Sequence, residues 1–431
     1  MHPSRVIQGR RSRLLVGRRI IVAVTGSIAA VETPRIIREL LRHGAEVRAV
    51  ASPDALGIIT AEALHFATGQ PPIVALTGQV EHVRELGPGE GRADLLLIAP
   101  ATANTISKIA HGIDDTVVTS FASVALGGGV PILIAPAMHA DMHANPAIAE
   151  NLSRLRAWGV GIVAPQAAEG EAKIATPEEV AAAVLHRLAT GPWAGRTMLV
   201  IGGASREPID AVRSVTNESS GATAVALATQ GYFRGAEVEL WLGAVEVPVP
   251  SFLVPRRWRS LSDLRRLIDG SPGLPRDLAA VWVPAALSDF TLAARKGKIP
   301  SHEAGPLTLT LRPAPKVLPD LRRRARPPCR IIGFKLESGA STEQLIASGR
   351  RLQQEAGVDF VVANDRAAMG APRARILLIP PRGEVEEIAG PKEEVASRLL
   401  EAVGPSLTAA SRPAPARRKS PSRAPARGAR A

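Results

Sequence analysis

Hydrophobic and polar positions along the chain form blocks that predict strands followed by helices. The first block, residues 20–26, is a continuous apolar run that ends at Gly26, which is typical of a strand buried on both faces of a parallel sheet. The next block, residues 33–44, places its apolar residues on one stripe of a helix that starts beside Pro34 and ends at Gly44. A strand, a turn and a helix therefore open the folded part of the chain.

The same pattern repeats through the first half of the chain. Further strand-like runs lie at residues 47–52, 94–101, 130–137 and 160–165, and helical patterns lie at residues 145–157 and 177–188. Because strands and helices alternate, we predict a doubly wound α/β domain over residues 19–190.

A segment containing Gly and Pro, residues 190–196, separates this domain from a second series of blocks. Strand-like runs follow at residues 197–203, 238–243, 279–286, 330–336 and 359–365, and helical patterns at residues 219–231, 261–268, 342–356 and 391–403. We predict a second α/β domain over residues 191–404. The expected fold class is thus α/β, with two doubly wound, Rossmann-like or flavodoxin-like three-layer domains.

Composition and charge narrow the functional classes. The 431 residues are 45% hydrophobic, which excludes a disordered or fibrous protein. The net charge of +13 would ordinarily indicate a nucleic acid or an anionic membrane as partner. However, residues 1–19 carry six arginines and residues 405–431 seven basic residues, both without an acid, so residues 20–404 are neutral. The basic character belongs to the two ends.

We interpret residues 1–18 as a basic tail and residues 405–431 as a disordered basic tail rich in Pro, Ala, Arg and Ser. No run approaches the roughly 20 apolar residues of a membrane span, and no signal peptide is evident, so we expect a cytoplasmic protein. A single cysteine excludes a disulfide scaffold and a zinc site of several thiolates. A nucleic-acid-binding protein that acts through its tails stays open as a non-enzymatic alternative.

Small and hydroxyl-bearing residues follow several predicted strands, where open α/β sheets bind ligands. The turns at residues 26–30 and 202–208 match neither the dinucleotide-binding pattern nor the P-loop pattern, which disfavours an ordinary NAD site and a P-loop NTPase. In residues 99–105 and 136–142, small residues follow the predicted strands directly. A flat, uncharged ring of a ligand could lie against turns of this kind. Tight connections without a ligand would have the same composition.

Ordered motifs across both halves resemble known enzymes. The motifs TGSIAA (25–30), EH (81–82), APATANTISKIAHGIDD (99–115) and PAMHADM (136–142) resemble the flavin-binding cysteine decarboxylases. The second half resembles phosphopantothenoylcysteine synthetase in the motifs GGASREPIDAVRSVTNESSG (202–221), AALSDF (285–290), GKIPS (297–301), GFKLES (333–338) and VAND (362–365). Together, over about residues 19–403, the chain is similar to the bifunctional coenzyme A biosynthesis flavoproteins, in an archaeal-type branch.

For the first domain the resemblance implies FMN and a decarboxylase. Its implied cofactor contacts are Gly26, Ser27, Ala29, Ser52, Thr102, Asn104, His139 and Met142. The implied catalytic histidine is His82, since a group that titrates near neutrality can assist proton removal while the cysteinyl thiol is oxidised. Without the resemblance, His82 would be interpreted as a surface residue.

The first domain departs from the family pattern at two places. His139 stands where the commoner bacterial motif has Asn, and residues 164–176 lack the cysteine that commonly protonates the enethiol intermediate. We hypothesise that Lys173, or a water that it positions, replaces this acid, although a lysine turned to solvent is equally consistent. A ligase with an impaired or specialised flavodomain is therefore an alternative, and a flavin prenyltransferase-like domain is disfavoured by the motifs of the second half.

For the second domain the resemblance implies ligation of cysteine to 4′-phosphopantothenate through an acyl-cytidylate, with CTP as co-substrate and Mg²⁺. The implied catalytic residues are Asn217 and Lys298, and the implied nucleotide or substrate contacts are Gly202, Gly203, Arg206, Asp289, Lys298, Pro315, Lys316 and Phe334. Pro300 and Ser301 replace two lysines of the family's KxKK motif, which leaves the choice between CTP and another nucleotide open.

The metal ligands are not assigned. The expected partners are the small-molecule substrates and further copies of the chain, with no membrane and no specific nucleic acid.

Overall fold

The computed structural model describes residues 2–168, 171–270, 273–300, 306–366 and 373–408. The strands of the first half are β1 (Arg19–Val24), β2 (Glu46–Ala51), β3 (Leu95–Ala101), β4 (Ile132–Pro136), β5 (Met138–His139), β6 (Gly161–Ile162), β7 (Gln166–Ala168) and β8 (Glu171–Lys173). Its helices are α1 (Pro3–Ile7), α2 (Thr33–Arg42), α3 (Pro53–Leu56), α4 (Ala61–Thr68), α5 (Glu81–Leu86), α6 (Ala103–His111), α7 (Val117–Gly128), α8 (Ala140–Ala144), α9 (Pro146–Ala157) and α10 (Pro177–Leu188), with a 3-10 helix at Ile28–Glu32.

The first half is built on a parallel sheet of five strands in the order β2-β1-β3-β4-β6. Because successive strand residues point to opposite faces, Ile20 and Val22 of β1 join one core with α2, α4 and α10. Ile21 and Ala23 join a second core with α6, α7 and α9. Helices therefore cover both faces of the sheet, and the strand order reverses between β1 and β3, where such sheets bind ligands.

The second half contains a larger sheet. Its strands are β9 (Thr197–Gly202), β10 (Arg206–Pro208), β11 (Ser214–Thr216), β12 (Glu237–Leu242), β13 (Pro255–Arg257), β14 (Leu278–Val283), β15 (Phe290–Thr291), β16 (Arg312–Pro313), β17 (Arg330–Glu337), β18 (Phe360–Asp365), β19 (Arg373–Ile379) and β20 (Glu386–Pro391). Its helices are α11 (Ala222–Phe233), α12 (Leu261–Asp269), α13 (Val317–Arg324), α14 (Thr342–Ala356), α15 (Lys392–Val403) and α16 (Pro405–Thr408).

Eight of these strands form one sheet in the order β13-β12-β9-β14-β17-β18-β19-β20. The first six strands in this order pair in parallel, whereas β19 pairs antiparallel with β18, and β20 pairs antiparallel with β19 at the edge. Val200 and Leu240 face a core with α11 and α15, and Leu199 and Trp241 face a core with α12, α13 and α14. This three-layer arrangement confirms the predicted fold class of two doubly wound α/β units.

The sequence pattern missed the antiparallel edge and several helices. Strand β20 alternates exposed and buried residues over six positions and runs directly into α15, so its pattern is short and weak. Helix α7 is apolar on most sides because both neighbouring helices and the sheet cover it, and it therefore lacks the single stripe that identifies an amphipathic helix.

The N-terminal segment is packed onto the first domain, contrary to the prediction of a basic tail over residues 1–18. The backbone N–H groups of Gly9, Arg11 and Leu15 donate to the carbonyls of residues 41, 42 and 43, each at 2.9 Å. These carbonyls end α2, and the last carbonyls of a helix need donors from outside it. Leu15 is only 1% exposed and belongs to the core beneath α2. Residues 2–18 are thus an integral part of the folded unit.

The boundary at the other end also moves. Residues 405–408 form α16, and Leu407 is buried in the core against α15. The predicted tail therefore begins after residue 408 at the earliest, and the remainder of that prediction, residues 409–431, lies outside the described residues. Among the helices that are described, none is long and apolar enough to cross a membrane.

Candidate functional site

The first candidate site lies at the carboxyl ends of β1, β2 and β3, which are neighbours in the sheet. Each strand is followed by a hydroxyl residue whose oxygen accepts a backbone N–H at the start of the next helix. The acceptors are Ser27 (3.4 Å from the nitrogen of residue 29), Ser52 (3.3 Å from that of residue 55) and Thr102 (3.2 Å from that of residue 105). The structure therefore brings these three predicted cofactor contacts to one edge of the sheet.

Gly26 allows two turns at this edge to approach each other. A Cβ at position 26 would lie 2.5 Å from the Cβ of Asp54 on α3, a distance that real Cβ contacts do not reach. The predicted neighbour Ala29 follows in the 3-10 helix and is half-buried. Asn104 is exposed on the first turn of α6, and its amide has no hydrogen-bond partner within the described residues.

Thr25, which the sequence motifs did not single out as a site residue, ties two of these turns together. Its hydroxyl is buried, donates to the carbonyl of Pro100 at 2.8 Å and accepts the N–H of Thr102 at 3.0 Å. Because this hydroxyl joins the end of β1 to the end of β3, Thr25 positions Thr102. Its place before the GSIAA turn was the available signal, but only its partners identify the role.

His82 lies on α5, directly after a distorted turn. Val80, which precedes the helix, has φ +48°, a left-handed conformation that a β-branched residue adopts only under strain. Glu81 accepts the hydroxyl of Thr77 at 2.5 Å and its N–H at 2.9 Å, and these bonds hold the pKa of the Glu81 carboxyl at about 2. The Nδ1 atom of His82 is buried and has no hydrogen-bond partner among the described residues. The half-buried imidazole therefore contains one buried ring nitrogen that no described protein group satisfies.

A small antiparallel sheet carries the other predicted residues of the first half. Strand β8 pairs with β5 and β7, placing His139 opposite Glu171 and Gln166 opposite Lys173. The Nδ1 of His139 accepts the N–H of Asp141 at 3.4 Å, and the exposed imidazole lies 3.5 Å from the carboxylate of that residue. Lys173 is exposed at the end of β8.

Met142 is half exposed on α8, which begins directly after β5. His139, Met142 and Lys173 therefore belong to one substructure that follows the carboxyl end of β4.

The second candidate site is a cleft of about 1100 Å³ at the carboxyl ends of β14, β17 and β18. Five predicted residues line it, namely Asn217, Asp289, Pro315, Lys316 and Phe334. They come from segments that are spread over more than a hundred residues of the chain, and the parallel sheet brings them to one edge.

Hydrogen bonds fix the walls of this cleft. The amide of Asn217 donates to the carbonyl of Leu287 at 3.0 Å. Ser205 is fully buried, and it accepts the N–H of Ser288 at 3.0 Å through its hydroxyl and the hydroxyl of Thr216 at 2.7 Å through its carbonyl. Ser205 therefore positions the segments that carry Asn217 and Asp289, a role that the sequence motifs did not reveal.

Two predicted residues of the cleft form an ion pair. The Nζ of Lys316 lies 2.6 Å from a carboxylate oxygen of Asp289, with 70% and 72% of the two side chains exposed. Because both groups are solvated, the pair contributes only about 0–1 kcal/mol and is exchanged easily for another partner.

Gly202, Gly203 and Arg206 do not belong to the lining of this cleft among the described residues. A Cβ at Gly202 would lie 2.0 Å from the Cβ of Ala224. Gly203 has φ +82°, and a Cβ there would clash with the carbonyl oxygen of Ala244. Close packing of strand, helix and turn therefore explains both glycines without a ligand. Arg206 is exposed on β10.

Lys298 lies outside the cleft lining as well, on an exposed segment held by Asp210. The buried carboxylate of Asp210 accepts the N–H groups of Val212, Arg213 and Ile299 at 2.7–3.1 Å. The bonds from Arg213 and Val212 hold the pKa of Asp210 at about 2. Asp210, another residue that the sequence motifs did not reveal, thus anchors the segment next to Lys298.

Comparison with known proteins shows where the chain belongs. Residues 8–189 match the family model "Flavoprotein", and residues 193–406 match "DNA/pantothenate metabolism flavoprotein C-terminal domain". The coenzyme A biosynthesis bifunctional protein CoaBC of Thermococcus kodakarensis is 41% identical over 405 residues, 94% of this chain and 99% of that protein. The chain belongs to this family. The CoaBC protein of Methanocaldococcus jannaschii is 36% identical over a region that spans 94% of this chain and 97% of that protein.

The crystal structure of the FMN-dependent cysteine decarboxylase SpaF aligns with 39% of this chain and 97% of the SpaF chain, at 30% sequence identity and a TM-score of 0.34. The prediction of a bifunctional coenzyme A biosynthesis flavoprotein of the archaeal type, with a decarboxylase and a ligase half, is confirmed by the family membership.

The residues of the first site fit the flavin of such a family member. Three hydroxyls lie at adjacent strand ends, and the buried Nδ1 of His82 on α5 lacks a partner within the described chain. In the described residues, no group of three or more His, Cys, Asp or Glu side chains is arranged to hold a metal ion.

Proposed function

We propose that residues 191–404 ligate cysteine to 4′-phosphopantothenate with CTP and Mg²⁺ through an acyl-cytidylate. We further propose that residues 19–190, together with the packed N-terminal segment, use FMN to decarboxylate the resulting phosphopantothenoylcysteine to 4′-phosphopantetheine. The observation that carries this proposal is the cleft that gathers Asn217, Asp289, Pro315, Lys316 and Phe334 in a chain of the bifunctional family.

In the first half, Gly26, Ser27, Ala29, Ser52, Thr102, Asn104, His139 and Met142 would hold FMN, which when bound supplies two-electron chemistry at the cysteinyl group of the substrate. His82 would take the thiol proton through its imidazole, whose Nδ1 has no hydrogen-bond partner within the described residues.

Lys173 would return a proton to the enethiol in place of the cysteine that this chain lacks. Its exposed position at the end of β8, in the same substructure as His139, supports this role. We expect Lys173→Ala to accumulate the enethiol and Lys173→Arg to preserve turnover in part. Reduction of the enethiol at the wild-type rate by Lys173→Ala would exclude the role.

In the second half, the reaction must stabilise negative charge that develops on phosphate and on the activated carboxyl, which requires cations and amide donors. Lys316 and the Asn217 amide would supply these in the cleft, and Lys298 would contribute a further cation from its own segment. Gly202 and Gly203 would support substrate binding indirectly, through the close packing around β9. Arg206, which is exposed on β10, would contribute a cation for the nucleotide or substrate phosphate. Mg²⁺ would enter with the nucleotide, since it is commonly held by one or two carboxylates and the substrate phosphates.

We also propose that the enzyme works as a homo-oligomer on small-molecule substrates, without a specific nucleic acid or a membrane as partner. The neutral charge of residues 20–404, which contain the sites, supports the absence of a nucleic acid or an anionic membrane as partner.

The proposal is tested by supplying purified protein with 4′-phosphopantothenate, cysteine, Mg²⁺ and each nucleoside triphosphate in turn. We expect pyrophosphate and carbon dioxide in equal amounts, with CTP as the preferred nucleotide. Phosphopantothenoylcysteine added directly should release carbon dioxide without any nucleotide. Pyrophosphate without carbon dioxide would refute the decarboxylase half and favour a specialised flavodomain, and the absence of both products would refute the proposal as a whole.

A further inference from the structure

The cations of the ligase cleft are largely paired with carboxylates of the same cleft. Besides the pair of Lys316 with Asp289, the Nζ of Lys335 lies 3.3 Å from a carboxylate oxygen of Glu337. A guanidinium nitrogen of Arg366 lies 3.1 Å from a carboxylate oxygen of Glu218. Arg366 and Glu218 have no role in the function proposed so far.

The pair of Arg366 and Glu218 connects two walls of the cleft. Arg366 directly follows β18, and Glu218 directly follows Asn217, 148 residues earlier in the chain than Arg366. The Arg366 guanidinium therefore reaches from the sheet edge to the segment that carries the predicted catalytic amide, and its carboxylate partner is the next residue after that amide.

The pair is exposed and therefore exchangeable. Arg366 is 62% exposed and Glu218 is 78% exposed, and solvated ion pairs of this kind contribute only about 0–1 kcal/mol. A guanidinium presents a planar fork that can donate two parallel hydrogen bonds to two oxygens of a phosphate. Such a bidentate, charge-assisted pair of hydrogen bonds is stronger than a single bond to one solvated carboxylate oxygen. A phosphate that enters the cleft would displace Glu218 at little cost.

We propose that Arg366 binds a phosphate group of a ligand in this cleft, and that Glu218 pairs with the guanidinium until that ligand displaces it. The inference rests on the proposed ligase function. Two ligands of that reaction carry phosphate, namely the nucleotide and 4′-phosphopantothenate, and the cleft of about 1100 Å³ is large enough for both.

The experiment compares three variants of the full-length protein by calorimetric titration with CTP alone and with 4′-phosphopantothenate alone, in EDTA so that no metal bridges Glu218 to the ligand. Arg366→Gln removes the proposed phosphate contact and Glu218→Gln removes its internal competitor. Arg375→Gln is the matched control, since Arg375 forms a similarly exposed pair with Glu387 at 2.7 Å outside the cleft lining.

We expect Arg366→Gln to raise the Kd of one of the two ligands about tenfold, Glu218→Gln to lower the Kd of that same ligand, and Arg375→Gln to change neither. The ligand that responds identifies the source of the phosphate. Wild-type affinity of Arg366→Gln for both ligands, or an equal loss in Arg375→Gln, would overturn the inference and leave the ligase function standing.

Decarboxylation of added phosphopantothenoylcysteine should proceed at the wild-type rate in all three variants, which verifies that the first half is unaffected. Thermal unfolding followed by the fluorescence of the buried Trp241 and Trp282 should match the wild type, which verifies that the ligase half is folded. If the wild-type protein binds neither ligand, even after Mg²⁺ replaces EDTA, the proposed function fails and the inference fails with it.

Discussion

Replacing Leu15 with Ala should destabilise the flavoprotein half, although this residue precedes the first strand. Leu15 is 1% exposed and packs in the core that contains Ile36 and Leu40 of α2. Truncating a buried leucine to alanine removes its apolar contacts and leaves a cavity, at a cost of about 2–5 kcal/mol. The adjacent Leu14 is 37% exposed, so Leu14→Ala should cost less than about 0.5 kcal/mol.

The two variants form a matched pair for a thermal unfolding assay. In a domain of this size each kcal/mol shifts the melting temperature by about 2–4 °C, so Leu15→Ala should lower it by about 4–20 °C and Leu14→Ala by less than about 2 °C. The full-length flavin-loaded protein is heated while flavin fluorescence reports release of the cofactor from the first half.

Equal shifts in the two variants, or no shift in Leu15→Ala, would refute the conclusion that residues 2–18 belong to the folded domain. A protein shortened by residues 409–431 serves as a second control, because the composition of this segment predicts disorder and hence an unchanged melting temperature.

Three further predictions follow from the sites. Gly26→Ala should lower the flavin content measured by absorbance, because its new Cβ would lie 2.5 Å from the Cβ of Asp54. Gly127→Ala is the control and should retain flavin, because its Cβ would meet nothing within 4 Å. Equal flavin contents in the two variants would contradict the reasoning. His82→Asn should slow carbon dioxide release by about 10²–10⁴-fold and leave pyrophosphate release unchanged, and loss of both activities would argue against a role confined to decarboxylation. Because the pKa of Asp210 is lowered to about 2, its carboxylate stabilises the fold above about pH 4 and this contribution disappears as the pH falls toward 2. Melting temperature measured against pH should therefore fall less steeply below pH 4 in Asp210→Asn than in wild type, and identical slopes would contradict this assignment.

Local pattern was sufficient for the main elements of the fold. The apolar run at residues 20–26 and the helical stripe at residues 33–44 correspond to β1 and α2. A strand buried on both faces is apolar throughout, whereas an amphipathic helix repeats its apolar residues every three to four positions. The edge strands β19 and β20 were not predicted, since their pairing depends on contacts with β18 rather than on a strong period of their own.

The N-terminal segment shows where composition misleads. Its arginines indicated a solvated tail, but a single buried leucine and a row of backbone donors to the end of α2 attach it to the domain. Net charge describes the exposed side chains, whereas attachment depends on the buried ones.

At the candidate sites, the motifs identified residue types, and the tertiary structure decided their relationships. The sequence by itself determined the α/β class, the resemblance to a bifunctional family, and five residues that share the ligase cleft. Only the tertiary structure separated Lys298 from the lining of that cleft and explained Gly202 by close packing.

The positioning roles of Thr25, Ser205 and Asp210 and the pair of Arg366 with Glu218 also required the structure. The physical reason is distance along the chain. Residues up to 148 positions apart interact here through single hydrogen bonds and ion pairs, which leave no periodic trace in the sequence and exist only after the sheets have assembled.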